Sequence, residues 1–121
     1  MRVVVGLVFL VHGFAHLVGF VVPWRLMKLQ DAAYKTTLVG GRIDVGDVGI
    51  RIVGILWLVA GIAFAVAGIG SITLQAWWRH LALLAAAFSL VLSILGWPEA
   101  RIGIVVNLAI VGFMLLAPRF G

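Results

Sequence analysis

The stretch from Ile50 to Ile69, IRIVGILWLVAGIAFAVAGI, decides the fold, because Arg51 is its only charged residue. A helix needs about 20 mainly apolar residues to cross the hydrocarbon core of a bilayer. Lipid offers no hydrogen bonds to backbone groups, so a segment of this kind forms a helix and not a strand. The stretch therefore predicts a membrane-spanning helix.

Three further stretches on either side of this segment have the same character. The four predicted helices cover about residues 3–22, 50–69, 76–96 and 101–117. A long loop over residues 23–49 follows the first helix, and tight turns make the other connections. The length of 121 residues allows one domain. We predict an all-α fold, an integral membrane four-helix bundle that forms a single transmembrane domain over residues 1–121.

The composition excludes several classes of protein. The chain is 64% hydrophobic, with a mean hydropathy of +1.25, whereas soluble domains are about 45–50% apolar. The absence of cysteine excludes disulfides, thiolate metal sites and thiol redox chemistry. The net charge of +5 comes from basic residues at helix ends and in loops. Such residues indicate the lipid bilayer as partner, and not a nucleic acid.

The distribution of basic residues predicts an orientation. With four spans, one face carries three basic residues and the other six. The smaller group is Arg2, Arg79 and Arg119, and the larger is Arg25, Lys28, Lys35, Arg42, Arg51 and Arg101. The positive-inside rule then predicts that the long loop lies in the cytoplasm.

Small residues mark the predicted helix contacts, because helices in lipid associate by close backbone packing. One stripe lies on the second helix and another on the third. The stripes consist of Gly54, Gly61, Ala65 and Gly68, and of Ala82, Ala86, Ser89, Ser93 and Gly96.

A few polar or amphipathic side chains lie deep in the predicted spans, displaced toward the long-loop face. They are His12, His16, Trp57, Ser89, Ser93 and Asn107, and Arg51, Glu99 and Arg101 form the rim above them. Intramembrane ionisable residues are functional candidates by default. The grouping predicts a polar pocket that is entered from the long-loop face.

His12 and His16 are four residues apart and share a helix face. The pair would bind one metal ion, pass a proton, bond a quinone carbonyl or ligate a haem. Alternatively, each ring donates to a carbonyl or to Asn107 and fixes the helix register. Two histidines are an incomplete metal set, since the nearest carboxylates, Glu99 and Asp31, lie at or beyond the interface. No complete catalytic set is visible, which weighs against a self-sufficient enzyme.

The segment GLVFLVHGFAHL, residues 6–17, resembles the opening of the DoxX-like family. The segments RIVGILWL at 51–58 and GWPEAR at 96–101 occupy the positions of later family features, and Asn107 matches an asparagine of the last helix. The resemblance implies a four-helix, multi-pass protein of the bacterial inner membrane, tied to quinone-linked redox or oxidative-stress systems. Many members carry an acidic residue near the position of Trp57. This chain does not, which argues against a carboxylate-dependent redox role.

The leading hypothesis is therefore a DoxX-like inner-membrane protein that binds a hydrophobic or quinone-like ligand, or supports a redox partner, through the polar pocket. His12 and His16 would be its polar contacts, with Trp57 and Asn107 as walls. One alternative is a small transporter or proton-coupled channel that works as a homo-oligomer. Another is a structural accessory subunit of a larger membrane complex. Quinone, haem and metal all stay open as cofactors.

Overall fold

A computed structural model describes residues 1–28 and 33–116 of the chain. It contains five helical elements: α1 (Arg2–Ala15), α2 (Val18–Val21), α3 (Gly46–Ile72), α4 (Trp78–Leu95) and α5 (Arg101–Leu116). Two short strands, β1 (Thr37–Leu38) and β2 (Ile43–Asp44), form a hairpin between α2 and α3. The expectations that concern Asp31, Ala117 and Arg119 lie outside the described residues.

The first predicted helix, residues 3–22, is not continuous. The backbone N–H of His16 donates to Gly13 O at 3.1 Å, and that of Leu17 donates to Phe14 O at 3.0 Å. Both bonds reach back three residues instead of four, so a tight 3₁₀ turn separates α1 from α2. The segment Arg2–Val21 nevertheless keeps the length and hydropathy of a membrane span.

The bounds of the other helices differ modestly from the prediction. α3 has 27 residues and begins four residues before Ile50, the predicted start, immediately after the hairpin. α4 has 18 residues. Segments Arg2–Val21, Gly46–Ile72 and Trp78–Leu95 are all long and apolar enough to cross a membrane. α5 has 16 described residues, about 24 Å at 1.5 Å per residue, which is shorter than the roughly 30 Å hydrocarbon core.

The loop predicted over residues 23–49 contains unpredicted structure. In the hairpin, Thr37 lies opposite Asp44, and Leu38 lies opposite Ile43. The turn between the strands uses positive φ angles at Val39, Gly40 and Gly41. Two-residue strands give no detectable sequence alternation, which is why the pattern indicated only turns.

The hairpin docks on the end of α4 through backbone hydrogen bonds. Val39 N–H donates to Leu95 O at 2.8 Å, and Gly40 N–H donates to Trp97 O at 2.7 Å. The α4–α5 turn therefore supplies carbonyl acceptors to the loop, and the loop covers this end of the helices.

Helix packing follows the chain, since α1 and α2 pack on α3, α3 on α4, and α4 on α5. Glycines bring α1 and α3 into backbone contact. A Cβ at Gly13 would lie 2.6 Å from Gly61 O, and a Cβ at Gly61 would lie 2.8 Å from Gly13 O. Gly6 and Gly68 repeat this reciprocal contact at 2.6 and 2.7 Å. The predicted small-residue stripe on α3 is thus confirmed as a contact surface.

The interior is divided into an apolar half and a polar half. The apolar cluster lies toward the start of α1 and the end of α5 and contains Val5, Phe9, Phe64, Ala67, Trp78, Ala82, Ala85, Ala86, Ile110 and Met114. The buried polar side chains His16, Ser89, Ser93 and Asn107 lie toward the hairpin. Ser71 is also buried, but it lies at the opposite end, where its hydroxyl donates to the carbonyl oxygen of Arg2. This division agrees with the predicted displacement of polar groups toward the long-loop face.

Candidate ligand site in the helix bundle

The polar half of the bundle is built around His16, which lies where α1 breaks. Its side chain is 3% exposed. Its Nδ1 lies 2.7 Å from the carbonyl oxygen of His12, and a carbonyl only accepts, so Nδ1 carries the hydrogen. The backbone N–H of His16 bonds to Gly13 O. The imidazole of His16 therefore donates to His12 O, the carbonyl that would accept from the His16 backbone N–H in a regular α-helix.

Asn107 has one orientation that satisfies its neighbours. Its Nδ2 lies 2.8 Å from Gly103 O and 2.9 Å from Ser89 Oγ. Because a carbonyl oxygen can only accept, the amide atom that faces Gly103 must be the nitrogen, and Oδ1 must point the other way. Oδ1 lies 3.2 Å from Nε2 of His12, so His12 donates through Nε2.

These assignments close a directed ring of hydrogen bonds across three helices. His12 donates to Asn107, Asn107 donates to Ser89, and Ser89 donates to Nε2 of His16 at 2.5 Å. His16 then donates to the backbone carbonyl of His12. With both rings neutral, His12 carries its hydrogen on Nε2 and His16 on Nδ1. We call these four residues the polar ring.

His12 is the member of the polar ring that is only half-buried. Its Nε2 is committed to Asn107, whereas its Nδ1 has no hydrogen-bond partner among the described residues. Its ring packs edge-on against Phe64 at 4.7 Å and against His16 at 4.6 Å between centroids. His12 therefore presents Nδ1 as one free acceptor nitrogen at the periphery of the polar ring.

Aromatic side chains of α3 line the polar ring. Trp57 lies 5.2 Å from the His16 ring, and fully buried Phe64 also lies 5.2 Å from it. Gly19 packs directly on the indole, since a Cβ there would overlap it, and Gly96 approaches its edge. Trp57 was predicted as a wall. Phe64 was not, although its spacing of seven residues from Trp57 places both on one helix face.

Ser93 is buried near the polar ring without joining it. Its side chain is fully buried, and its Oγ has no hydrogen-bond partner among the residues that the structure describes. A Cβ at Gly103 would lie 2.6 Å from that oxygen, so the hydroxyl packs against the backbone of α5. The structure thus places five of the six predicted contacts together and leaves Ser93 one turn away.

The predicted rim residues lie at the hairpin end, and each has different surroundings. Glu99 accepts a hydrogen bond from Lys35 at 2.6 Å, which lowers the pKa of its carboxyl. Arg51 lies 5.8 Å from the Trp24 ring, whose Nε1 donates to Arg51 O at 2.9 Å. Arg101 is exposed at the start of α5.

An open cleft of about 510 Å³ lies at the hairpin end, and sequence reasoning did not anticipate it. The hairpin turn forms one side of the cleft, and the α4–α5 turn forms the other. Its polar residues are Lys35, Thr37, Arg42 and Glu99. The cleft depends on the hairpin fold, which no sequence pattern indicated.

The geometry constrains the metal and haem hypotheses. Both nitrogens of His16 are engaged, so His12 and His16 as oriented do not offer two free lone pairs to one ion. No group of three or more histidine or carboxylate side chains within the described residues is placed to hold a metal. A haem iron would find only Nδ1 of His12. Metal binding by this pair would require His16 to give up its hydrogen bond with Ser89.

Comparison with protein-family models, curated proteins and solved structures gives no significant match to this chain. The similarity to the DoxX-like family therefore stays a prediction from residues 6–17 and the later segments.

Proposed function

We propose that the protein is a multi-pass integral membrane protein of the bacterial inner membrane, with α5 as the fourth span and the hairpin in the cytoplasm. Large apolar side chains on the outer helix surfaces support this proposal. Val11, Phe14 and Leu84 are 70%, 73% and 69% exposed. A surface of this kind is stable only when lipid or another protein covers it.

We further propose that it binds a hydrophobic or quinone-like ligand at His12, either on its own account or in support of a redox partner. The observation that supports this site is the free Nδ1 of half-buried His12, because it is a polar contact at the edge of an otherwise apolar bundle. Ligand sites are mostly apolar, with a few placed polar groups of this type. Membership of the DoxX-like family rests on the sequence resemblance.

The test is to purify the protein gently from its native membrane and to analyse bound small molecules by mass spectrometry, optical spectroscopy and metal analysis. A stoichiometric apolar molecule that is lost in His12→Ala is the expected result. His80→Ala is the matched control, since His80 is exposed at the opposite end of the bundle. Purified protein without such a molecule would contradict the proposal, as would loss of the molecule in both variants.

A structural accessory subunit is a second candidate, because the polar ring satisfies its own members internally. Interhelical hydrogen bonds of this kind fix the register of helices in lipid. The expected observation would be co-purification with a larger membrane complex that survives His12→Ala.

The hydrogen bonds of the polar ring close on the backbone carbonyl of His12 and lead to neither membrane face. This weighs against a proton-coupled channel.

A further inference from the structure

The polar ring leaves a single imidazole nitrogen uncommitted, and its chemical character follows from the other bonds. Asn107 Oδ1 is an acceptor, which fixes the hydrogen of His12 on Nε2. In a neutral imidazole the remaining nitrogen is then an acceptor without a hydrogen. Nδ1 of His12 can therefore receive a hydrogen bond but cannot give one.

The position of His12 leaves this nitrogen open to a partner from the bilayer. α1 packs on α3, whereas α5 packs on α4, and the helices α1 and α5 have few contacts with each other. The His12–Asn107 bond of 3.2 Å spans the space between them. His12 is half-buried at this seam, while Asn107 behind it is fully buried. A molecule dissolved in lipid would approach His12 from the side.

Building on the proposed ligand site, we infer that the ligand is a hydrogen-bond donor: an apolar molecule with a hydroxyl head group, such as a phenol, a quinol or a long-chain alcohol. It enters between α1 and α5 and donates to Nδ1 of His12. Phe64, edge-on to the His12 ring at 4.7 Å, lies behind the imidazole and holds it in place.

The same geometry discriminates against carbonyl ligands. A quinone without a hydroxyl group offers only acceptor oxygens. Nδ1 of His12 is also an acceptor, so the two lone pairs would repel each other and form no hydrogen bond. Binding it would require His12 to release Asn107 and change tautomer, which leaves the buried Oδ1 of Asn107 without a donor. An unpaired buried polar group of this kind is expensive. The site is therefore expected to prefer a quinol over its quinone.

The first part of the test measures the tautomers directly. ¹⁵N NMR of histidine-labelled protein distinguishes protonated from bare imidazole nitrogens, and a His80→Gln variant leaves only His12 and His16 in the spectrum. We expect His12 to be protonated on Nε2 and His16 on Nδ1. A hydrogen on Nδ1 of His12 in the free protein would overturn the inference.

The second part compares 4-dodecylphenol with its methyl ether, which has nearly the same apolar surface but no donor. The phenol should bind roughly tenfold more tightly, the equivalent of one hydrogen bond, and should shift the Nδ1 resonance of His12. Equal binding of both probes that is lost in His12→Ala would overturn the donor inference while supporting the proposed site. Failure of both probes to bind would overturn the site and the inference together.

Discussion

At the scale of single residues, His16 shows how a break in a long apolar helix is stabilised. The tight turn after Ala15 redirects the backbone N–H of His16 to Gly13, and the imidazole supplies the bond to the carbonyl of His12 instead. Unsatisfied backbone groups in lipid cost several kcal/mol. The His16 side chain therefore offsets the cost of the break by satisfying the carbonyl of His12. It also connects α1 to α4 through Ser89.

Two serines on α4 provide a matched test of the polar ring. Ser89→Ala leaves Nε2 of His16 without its donor and removes one acceptor from Asn107, so it should lower the free energy of unfolding by about 1–3 kcal/mol. Ser93→Ala removes a buried hydroxyl that bonds to none of the described residues, so it should change stability by less than about 0.5 kcal/mol, or increase it slightly. Reversible unfolding in mixed detergent micelles measures both. Equal destabilisation by the two variants would contradict the ring.

The membership of this site was largely predictable, and its connectivity was not. Counting along each helix placed His12, His16 and Asn107 toward the long-loop face, and the structure brings them together with Ser89 and Trp57. The direction of each hydrogen bond depends on the carbonyls of Gly103 and His12, and no side-chain pattern reports backbone acceptors. Ser93, a single turn from Ser89, was grouped with these residues by position alone, because the sequence does not show which hydroxyl faces the histidines.

At the scale of elements, the contact between α1 and α3 rests on glycine. Gly6 and Gly13 each place their Cα against a carbonyl of α3, which permits an approach that any Cβ would prevent. Backbone atoms cannot move aside as a flexible side chain can, so the whole helix would have to shift.

Gly13→Ala should therefore lower stability by about 1–3 kcal/mol, the usual range for overpacking, and should weaken the α1–α3 contact. Gly112→Ala is the control, because a Cβ at that position meets nothing within 4 Å and alanine favours a helix over glycine. Thermal unfolding of both variants in detergent gives the comparison. A stable Gly13→Ala protein, or an equally weakened Gly112→Ala protein, would show that the close approach is dispensable.

The hairpin is a second element whose attachment can be tested, since the Lys35–Glu99 pair links it to the α4–α5 turn. The hydrogen bond from Lys35 holds the pKa of Glu99 below its ordinary value of 4.5. The folded pKa is the lower one, so the contribution is complete above the unfolded value and is lost as the pH falls through the folded pKa. Both side chains are exposed, so the effect is small.

Hydrogen exchange of the Val39 and Gly40 amides, which bond to Leu95 and Trp97, should therefore accelerate relative to other protected amides as the pH falls through the lowered pKa of Glu99. Glu99→Gln removes the titrating group and should give this faster relative exchange already at neutral pH, with no further change on acidification. A wild-type protein whose hairpin protection does not change with pH would show that the ion pair contributes nothing to docking.

Helix positions were predictable because lipid demands long apolar runs, whereas the elements that the sequence missed are short. The break at His16–Leu17 and the strands at Thr37–Leu38 and Ile43–Asp44 each span two residues. Two residues carry no periodicity. The two strands pair with each other, but the docking of their hairpin depends on distant parts of the chain. Residues of the hairpin turn bond to Leu95 and Trp97, more than fifty positions away.

At the scale of the whole molecule, the helix order defines two distinct ends of the bundle. Ser71 donates to the carbonyl of Arg2, and Arg79 donates to that of Met114, so the starts of α1 and α4 lie at the same end as the ends of α3 and α5. The hairpin and the α4–α5 turn lie at the other. If the protein spans the inner membrane as proposed, these ends face opposite compartments.

The chain contains no cysteine, so single introduced thiols report on each end without background. Ala33→Cys lies on the exposed hairpin side and Gln75→Cys on the exposed α3–α4 turn. In intact spheroplasts, an impermeant maleimide should label Gln75→Cys and leave Ala33→Cys unlabelled until the membrane is permeabilised, because the basic hairpin end is expected in the cytoplasm. The reverse pattern would keep the multi-pass fold and invert the orientation. Labelling of both positions in intact spheroplasts would exclude a single transmembrane topology, because one arrangement cannot expose opposite ends of a spanning bundle to the same compartment.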